Sequence, residues 1–145
     1  MRPLAILKRT VISVTLLIVV IAGLGPWILY WLGLNAIEGR PQPSNSSATQ
    51  IEKEEIWRKA HGLGTPSITP VTPYGYLNMI VTNQQEPGLL VAWWVAREFN
   101  LEHRKYKTMS WWHISGSALT IWLTRNWSSD EILSKAVEIQ RMPKG

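Results

Sequence analysis

From Thr10 to Ile37 the chain carries no charged side chain, and Val11 to Leu24 within that run is almost wholly aliphatic. A helix crosses a bilayer core with about 20 apolar residues, and Val11 to Trp31 is long enough. Lipid offers the backbone no hydrogen-bond partner, so a crossing segment must be helical. Arg2, Lys8 and Arg9 precede the run and no acid does, which predicts a cytoplasmic N-terminus and an exported C-terminus. Trp27, Tyr30 and Trp31 gather at the far end, where amphipathic rings prefer the headgroup level. A cleavable signal peptide has a shorter apolar core, about 7–15 residues, and no small-x-small site follows at the right distance here, so an uncleaved anchor is expected. Gly23, Gly25 and Pro26 suit close packing or a kink. The expectation adopted for them is a frayed helix end at the outer interface.

The chain has 145 residues with 15 Lys and Arg against 10 Asp and Glu, a net charge of +5. Such a balance raises nucleic acid as a partner, until the charges are located. Setting aside Arg2, Lys8 and Arg9 leaves 12 basic residues against 10 acidic ones in the exported part, a net of +2. Nucleic-acid binding loses its main support. There is no Cys, which excludes a disulfide scaffold and a Cys-ligated metal site.

The fold expected is mainly α. A basic tail at 1–9 leads into a transmembrane helix at 10–34, a Pro-, Ser- and Asn-rich linker at 35–50, and an exported domain of about four helices at 51–145. Thr49 and Glu52 have capping-box spacing and open a helix to His61, with Ile51, Ile56, Trp57, Ala60 and Leu63 as its apolar stripe and Gly62 and Gly64 as its stop. Pro66, Pro70 and Pro73 make the next stretch irregular, and Tyr74 to Val81 is either a short strand or one helical turn. Pro87 opens a second helix to about Asn100, with Leu89, Leu90, Trp93 and Ala96 on one face. A third covers Ser110 to Arg125. Ser128 and Glu131 form a second capping box for a fourth, running to Arg141 and stopped by Pro143 and Gly145.

Catalytic and metal-binding patterns are sparse. His61, His103 and His113 are scattered, and no ligand spacing joins them, so no metal and no cofactor are expected. Ser115-Gly116-Ser117 lacks the glycines of a nucleophile elbow, and Gly62-Leu63-Gly64 is not a phosphate loop. Two acids are candidates for glycan chemistry: Glu86, which precedes a helix start, and Glu98, which shares a face with Glu102 beside Arg97. The bland reading of Glu86 is a helix N-terminal acid. Seven of the nine Trp lie in the exported part, and Trp93-Trp94 and Trp111-Trp112 are adjacent pairs, so both members cannot face one core. Trp93, Trp94, Trp111 and Trp112 are therefore the candidate binding surface.

The stretch Ala118-Leu119-Thr120-Ile121-Trp122-Leu123-Thr124-Arg125-Asn126-Trp127-Ser128-Ser129-Asp130-Glu131-Ile132-Leu133 resembles the late helical region of the peptidoglycan glycosyltransferases (family 51 transglycosylases). The layout of basic tail, single membrane helix and membrane-proximal helical domain is similar as well. The family's Glu-Asp-x-x-Phe-x-x-His-x-Gly motif has no counterpart, and Lys135-Ala136-Val137 stands where the family has Tyr-Leu-Asn. The resemblance thus implies a reduced, non-catalytic relative in a bacterial envelope and transfers no catalytic residue. The function expected is a single-pass inner-membrane protein with a periplasmic interaction domain, an accessory or structural component of a cell-envelope complex. Its expected partners are the lipid bilayer, another membrane or envelope protein, and peptidoglycan glycan. The alternatives are a glycan-acting enzyme using Glu86 or Glu98, and a membrane-anchored inhibitor or immunity-type protein.

Overall fold

The computed structural model describes residues 2–142, and among them it contains six helices and no strand. Pro143 and Gly145, read above as the stop of the last helix, lie outside the described residues, and so does the side chain of Arg2. Helix α1 covers Arg2–Asn35 and runs unbroken through Pro26. The frayed end expected after Gly23 is not seen, because the last turns of α1 are held by tertiary packing. Tyr30 and Leu34 are buried against Val71, Ala118 and Ile121. Over Ile6–Asn35 the helix is long and apolar enough to cross a membrane, with a mean hydropathy of 2.4 in its most apolar stretch and none of that stretch buried.

The folded body thus begins inside α1. Residues 35–50 do connect α1 to the next helix, but as a packed strap. Ala36, Ile37, Pro41 and Ala48 are buried. The Glu38 amide donates to the His103 carbonyl at 2.8 Å, and the Lys105 amide donates to the Ala36 carbonyl at 2.9 Å.

Helix α2 spans Gln50–Lys59 and opens on the expected capping box. Thr49 Oγ1 accepts from the Glu52 amide, and the Glu52 carboxylate accepts from the Thr49 amide at 2.8 Å. Arg141 donates to the same carboxylate. These bonds, the one from Arg141 first, pull the Glu52 carboxyl down to about 2. The helix stops two residues earlier than expected, and its left-handed residue is His61 (φ 62°) rather than Gly62. Ile56, Trp57 and Ala60 form the buried stripe, whereas Ile51 and Leu63 are exposed. Ile51 is five residues from Ile56, a rotation of roughly 140° on the helix, so it points off the stripe.

Helix α3, Pro73–Val81, replaces the strand or single turn left open by the sequence. Pro73 takes the first helical position, and Thr72 Oγ1 accepts from the Gly75 amide at 3.1 Å. Among the described residues, five helices follow α1 where about four were expected. Helices α4 (Pro87–His103) and α5 (Met109–Asn126) form the central pair. The buried centre of α4 is Gly88, Val91, Ala92, Val95 and Ala96, while Leu89, Leu90 and Trp93 are only half-buried at its flanks. Small side chains in the seam let the two helix axes approach closely. Between them Asn100 is fully buried, with Nδ2 donating to the Trp112 carbonyl at 3.0 Å and Oδ1 lying 2.7 Å from Ser115 Oγ. Helix α6, Ser129–Arg141, opens on the second expected capping box, with Ser128 and Glu131, and closes the core through Ile132, Leu133, Ala136 and Val137. Lys53 of α2 pairs with Asp130 in its first turn.

Candidate functional site

The most unusual local arrangement lies where α1 meets α3 and α5. Pro26 has no amide hydrogen, so the carbonyl four residues earlier, at Ala22, loses its helical partner. Tyr74, from the start of α3, supplies one. Its one hydroxyl proton is shared between the Gly23 carbonyl, the nearer acceptor, and the Ala22 carbonyl at 3.2 Å. One turn or so further along α1, Trp27 and Tyr30 meet edge to face at 5.8 Å. The Arg125 guanidinium sits 5.7 Å from the Trp27 ring centroid, and that of Arg40 sits 5.9 Å from the Trp122 ring. Among the described residues neither arginine has an acidic side chain within ion-pairing distance. An open apolar cavity of about 170 Å³ separates the three helices, walled by Pro26 and Leu29 of α1, Leu77 and Ile80 of α3, and Ile114 and Ile121 of α5.

Higher on the same seam, Gly33 is the residue of closest approach. A Cβ there would stand 2.6 Å from the Ala118 Cβ and 2.7 Å from the Ile114 carbonyl oxygen. Gly23 and Gly25, for which the sequence admitted close packing or a kink but a frayed helix end was expected, have open space where a Cβ would be.

The four candidate Trp do not form one surface. Trp93 and Trp112 meet edge to face at 5.4 Å and join α4 to α5, and Trp93 also covers Gly116. Trp94 packs on the main core. Trp111 lies against Tyr106 with ring centroids 4.9 Å apart. Beside that last pair, Leu101, Tyr106 and Met109 are exposed around the α4–α5 turn. The turn is level with the end of α1, since Lys105 Nζ donates to the Asn35 carbonyl at 2.8 Å.

Glu86 and Glu98 are both exposed, as is Arg97. Twelve residues of helix separate the two acids by about 18 Å along α4, too far to act as one carboxylate pair. Glu86 is the N-cap residue of α4, yet its side chain caps no amide. It lines an open cleft of about 390 Å³ with His61, Tyr76, Asn83, Gln84 and Gln85. His103 stacks on Phe99 at 3.8 Å, and His113 borders the apolar cavity. Among the described residues, no three His, Asp or Glu side chains gather to hold a metal ion.

Comparison with protein-family models, curated proteins and solved structures returns no match. Sequence reasoning missed Gly33, Tyr74 and the orphaned Ala22 carbonyl. The signal that was available is Pro26 inside an apolar run, because such a proline demands a substitute donor from elsewhere in the fold.

Proposed function

We propose that this chain is a single-pass inner-membrane protein. Its N-terminus is cytoplasmic, and its helical domain works on the periplasmic face as an accessory or structural component of a cell-envelope complex. One observation carries the reading. The membrane-length helix does not end before the domain but continues into its core, with Gly33, Tyr30 and Leu34 packed on α5. A domain joined this way is held against the bilayer at a fixed height and orientation, which suits a docking component for another membrane protein. The partner surface is the apolar turn of Leu101, Tyr106, Met109 and Trp111, flanked by Lys105 and Lys107. Orientation follows from the lysine and arginine bias before α1. A reporter fused after Gly145 that is active only outside the cytoplasm should be active, and the full chain should resist extraction by alkaline carbonate. A reporter active only in the cytoplasm would overturn the orientation.

A second reading is favoured by the cleft at Glu86. Its amide and imidazole groups, set beside apolar Met79, Ile80, Leu89 and Leu90, suit the hydroxyls and ring faces of a sugar, in keeping with the resemblance to peptidoglycan glycosyltransferases, and a reduced relative would bind or act on peptidoglycan glycan there. Under this reading Glu86→Gln abolishes glycan turnover while Glu98→Gln leaves it intact. Unchanged turnover in Glu86→Gln removes it.

A further inference from the structure

We infer that α3 is a second lipid-inserted element, lying in the outer leaflet beside the span, so that the domain is embedded in the membrane rather than perched on it. The inference rests on the anchor reading of α1. Four observations meet in it.

The first is depth. A span that begins after Arg9 and covers about 30 Å ends near Leu29. The Ala22 and Gly23 carbonyls that Tyr74 engages then lie about 10 Å inside that boundary. Tyr74 cannot reach them unless the start of α3 enters the hydrocarbon region or its edge.

The second is exposure. Tyr74, Leu77, Ile80 and Val81 are 42%, 41%, 58% and 83% exposed, respectively, a concentration of uncovered large side chains on a nine-residue helix. In water such a face is a cost; in lipid it is the expected composition.

The third is charge. From Ala60 to Gln85 the chain contains no Asp, Glu, Lys or Arg, although charged residues stand immediately outside, at Lys59 and Glu86. The polar side chains at the end of α3 (Thr82, Asn83, Gln84 and Gln85) are neutral groups suited to the headgroup layer.

The fourth marks the headgroup level independently. Arg125 and Arg40, without acidic partners and stacked on Trp27 and Trp122, stand beside the end of the span where lipid phosphates lie. Cations at that height with an uncharged helix below them are the arrangement of an interface-embedded domain. The apolar cavity between α1, α3 and α5 opens at the same depth, continuous with the lipid-facing wall of α1 at Leu29.

The chain has no cysteine, so single nitroxide labels report cleanly. The test uses the full chain in phosphatidylethanolamine–phosphatidylglycerol vesicles, labelled at Leu77→Cys, Val81→Cys, Leu17→Cys in the middle of α1, or Glu98→Cys on the exposed part of α4. The readout is collision with oxygen, which concentrates in lipid, against a water-soluble nickel chelate. Labels at 77 and 81 should fall between those at 98 and 17, with an oxygen-to-nickel ratio several-fold above that at 98. Labels at 77 and 81 that match 98, with 17 in lipid, overturn the inference and leave the anchor standing. All four labels in water overturn the anchor and the inference together. Immobile labels at 77 and 81 that meet neither reagent show a protein covering this face, which also overturns it.

Discussion

Gly33→Ala is expected to destabilise the helical domain by about 1–3 kcal/mol, while Gly25→Ala is neutral or slightly stabilising. Both glycines sit inside α1, so both substitutions gain the same helix propensity, and their difference isolates the contact. At Gly25 nothing lies within 4 Å of the new methyl group. At Gly33 the methyl meets the Ala118 side chain and the Ile114 backbone carbonyl, and the second of these cannot rotate away. The two helices must separate by some tenths of an ångström along a seam that also buries Tyr30 and Leu34. Thermal unfolding of the purified full chain in detergent, followed by Trp fluorescence, measures the difference. Limited proteolysis of residues 35–50 should accelerate in Gly33→Ala, because the start of that strap (Asn35, Ala36 and Glu38) is bonded to His103 and Lys105 beside the end of the same helix. Equal stabilities of the two variants would mean that α1 and α5 are not docked as described.

The contrast between these glycines shows what is legible in the sequence. Features set within one or two turns were legible. Both capping boxes lie where their Thr/Ser and Glu spacing places them, Pro87 begins α4, and the charge-free run forms a membrane-length helix. Features set by residues far apart in the chain were not. Nothing local distinguishes Gly33 from Gly25, since the distinction is made by Ala118 on another helix. Helix α3 looked irregular because three prolines precede or open it, and its nine residues are too few to show a helical period. What holds it is Thr72 capping at one end and a hydroxyl contact 51 and 52 residues away.

The Trp pairs carry the same lesson in another form. Adjacent Trp residues cannot share one helix face, so the sequence correctly requires them to point apart. It does not say which member turns inward. In the fold, Trp93 and Trp112 bond α4 to α5, so their truncation would report on stability as much as on binding. The exposed turn around Trp111 and Tyr106 is the part of this aromatic set still able to meet a partner, and it is reached through its neighbours Leu101 and Met109 rather than through the Trp count. Glu86 differs again. Its position before Pro87 is a local feature and was legible, but the cleft it borders is built by His61 and α3, which were not.

Removing the Tyr74 hydroxyl should cost about 1–3 kcal/mol when Pro26 is present, and well under about 1 kcal/mol when Pro26 is replaced by Ala. In the natural chain Tyr74→Phe strands the Ala22 carbonyl without a donor, because Pro26 has no amide hydrogen to offer. With α3 embedded as inferred above, no water restores the bond, so the desolvation penalty remains. In Pro26→Ala the residue 26 amide closes the ordinary helical bond to Ala22, and the tyrosine hydroxyl keeps only its contact with Gly23, whose carbonyl already has a helical partner. The four chains (natural, two single variants and the double variant) form a cycle whose coupling energy is expected to be about 1–2 kcal/mol. Unfolding equilibria in detergent or bicelles measure it. A second readout separates this account from general loss of packing, since amide hydrogen exchange between Ala22 and Trp27 should rise in Tyr74→Phe alone and return to the natural level in the double variant. If Tyr74→Phe costs the same with and without Pro26, the hydroxyl does not serve the proline gap. The attachment of α3 to the span must then come from side-chain packing around Leu29 and Leu77.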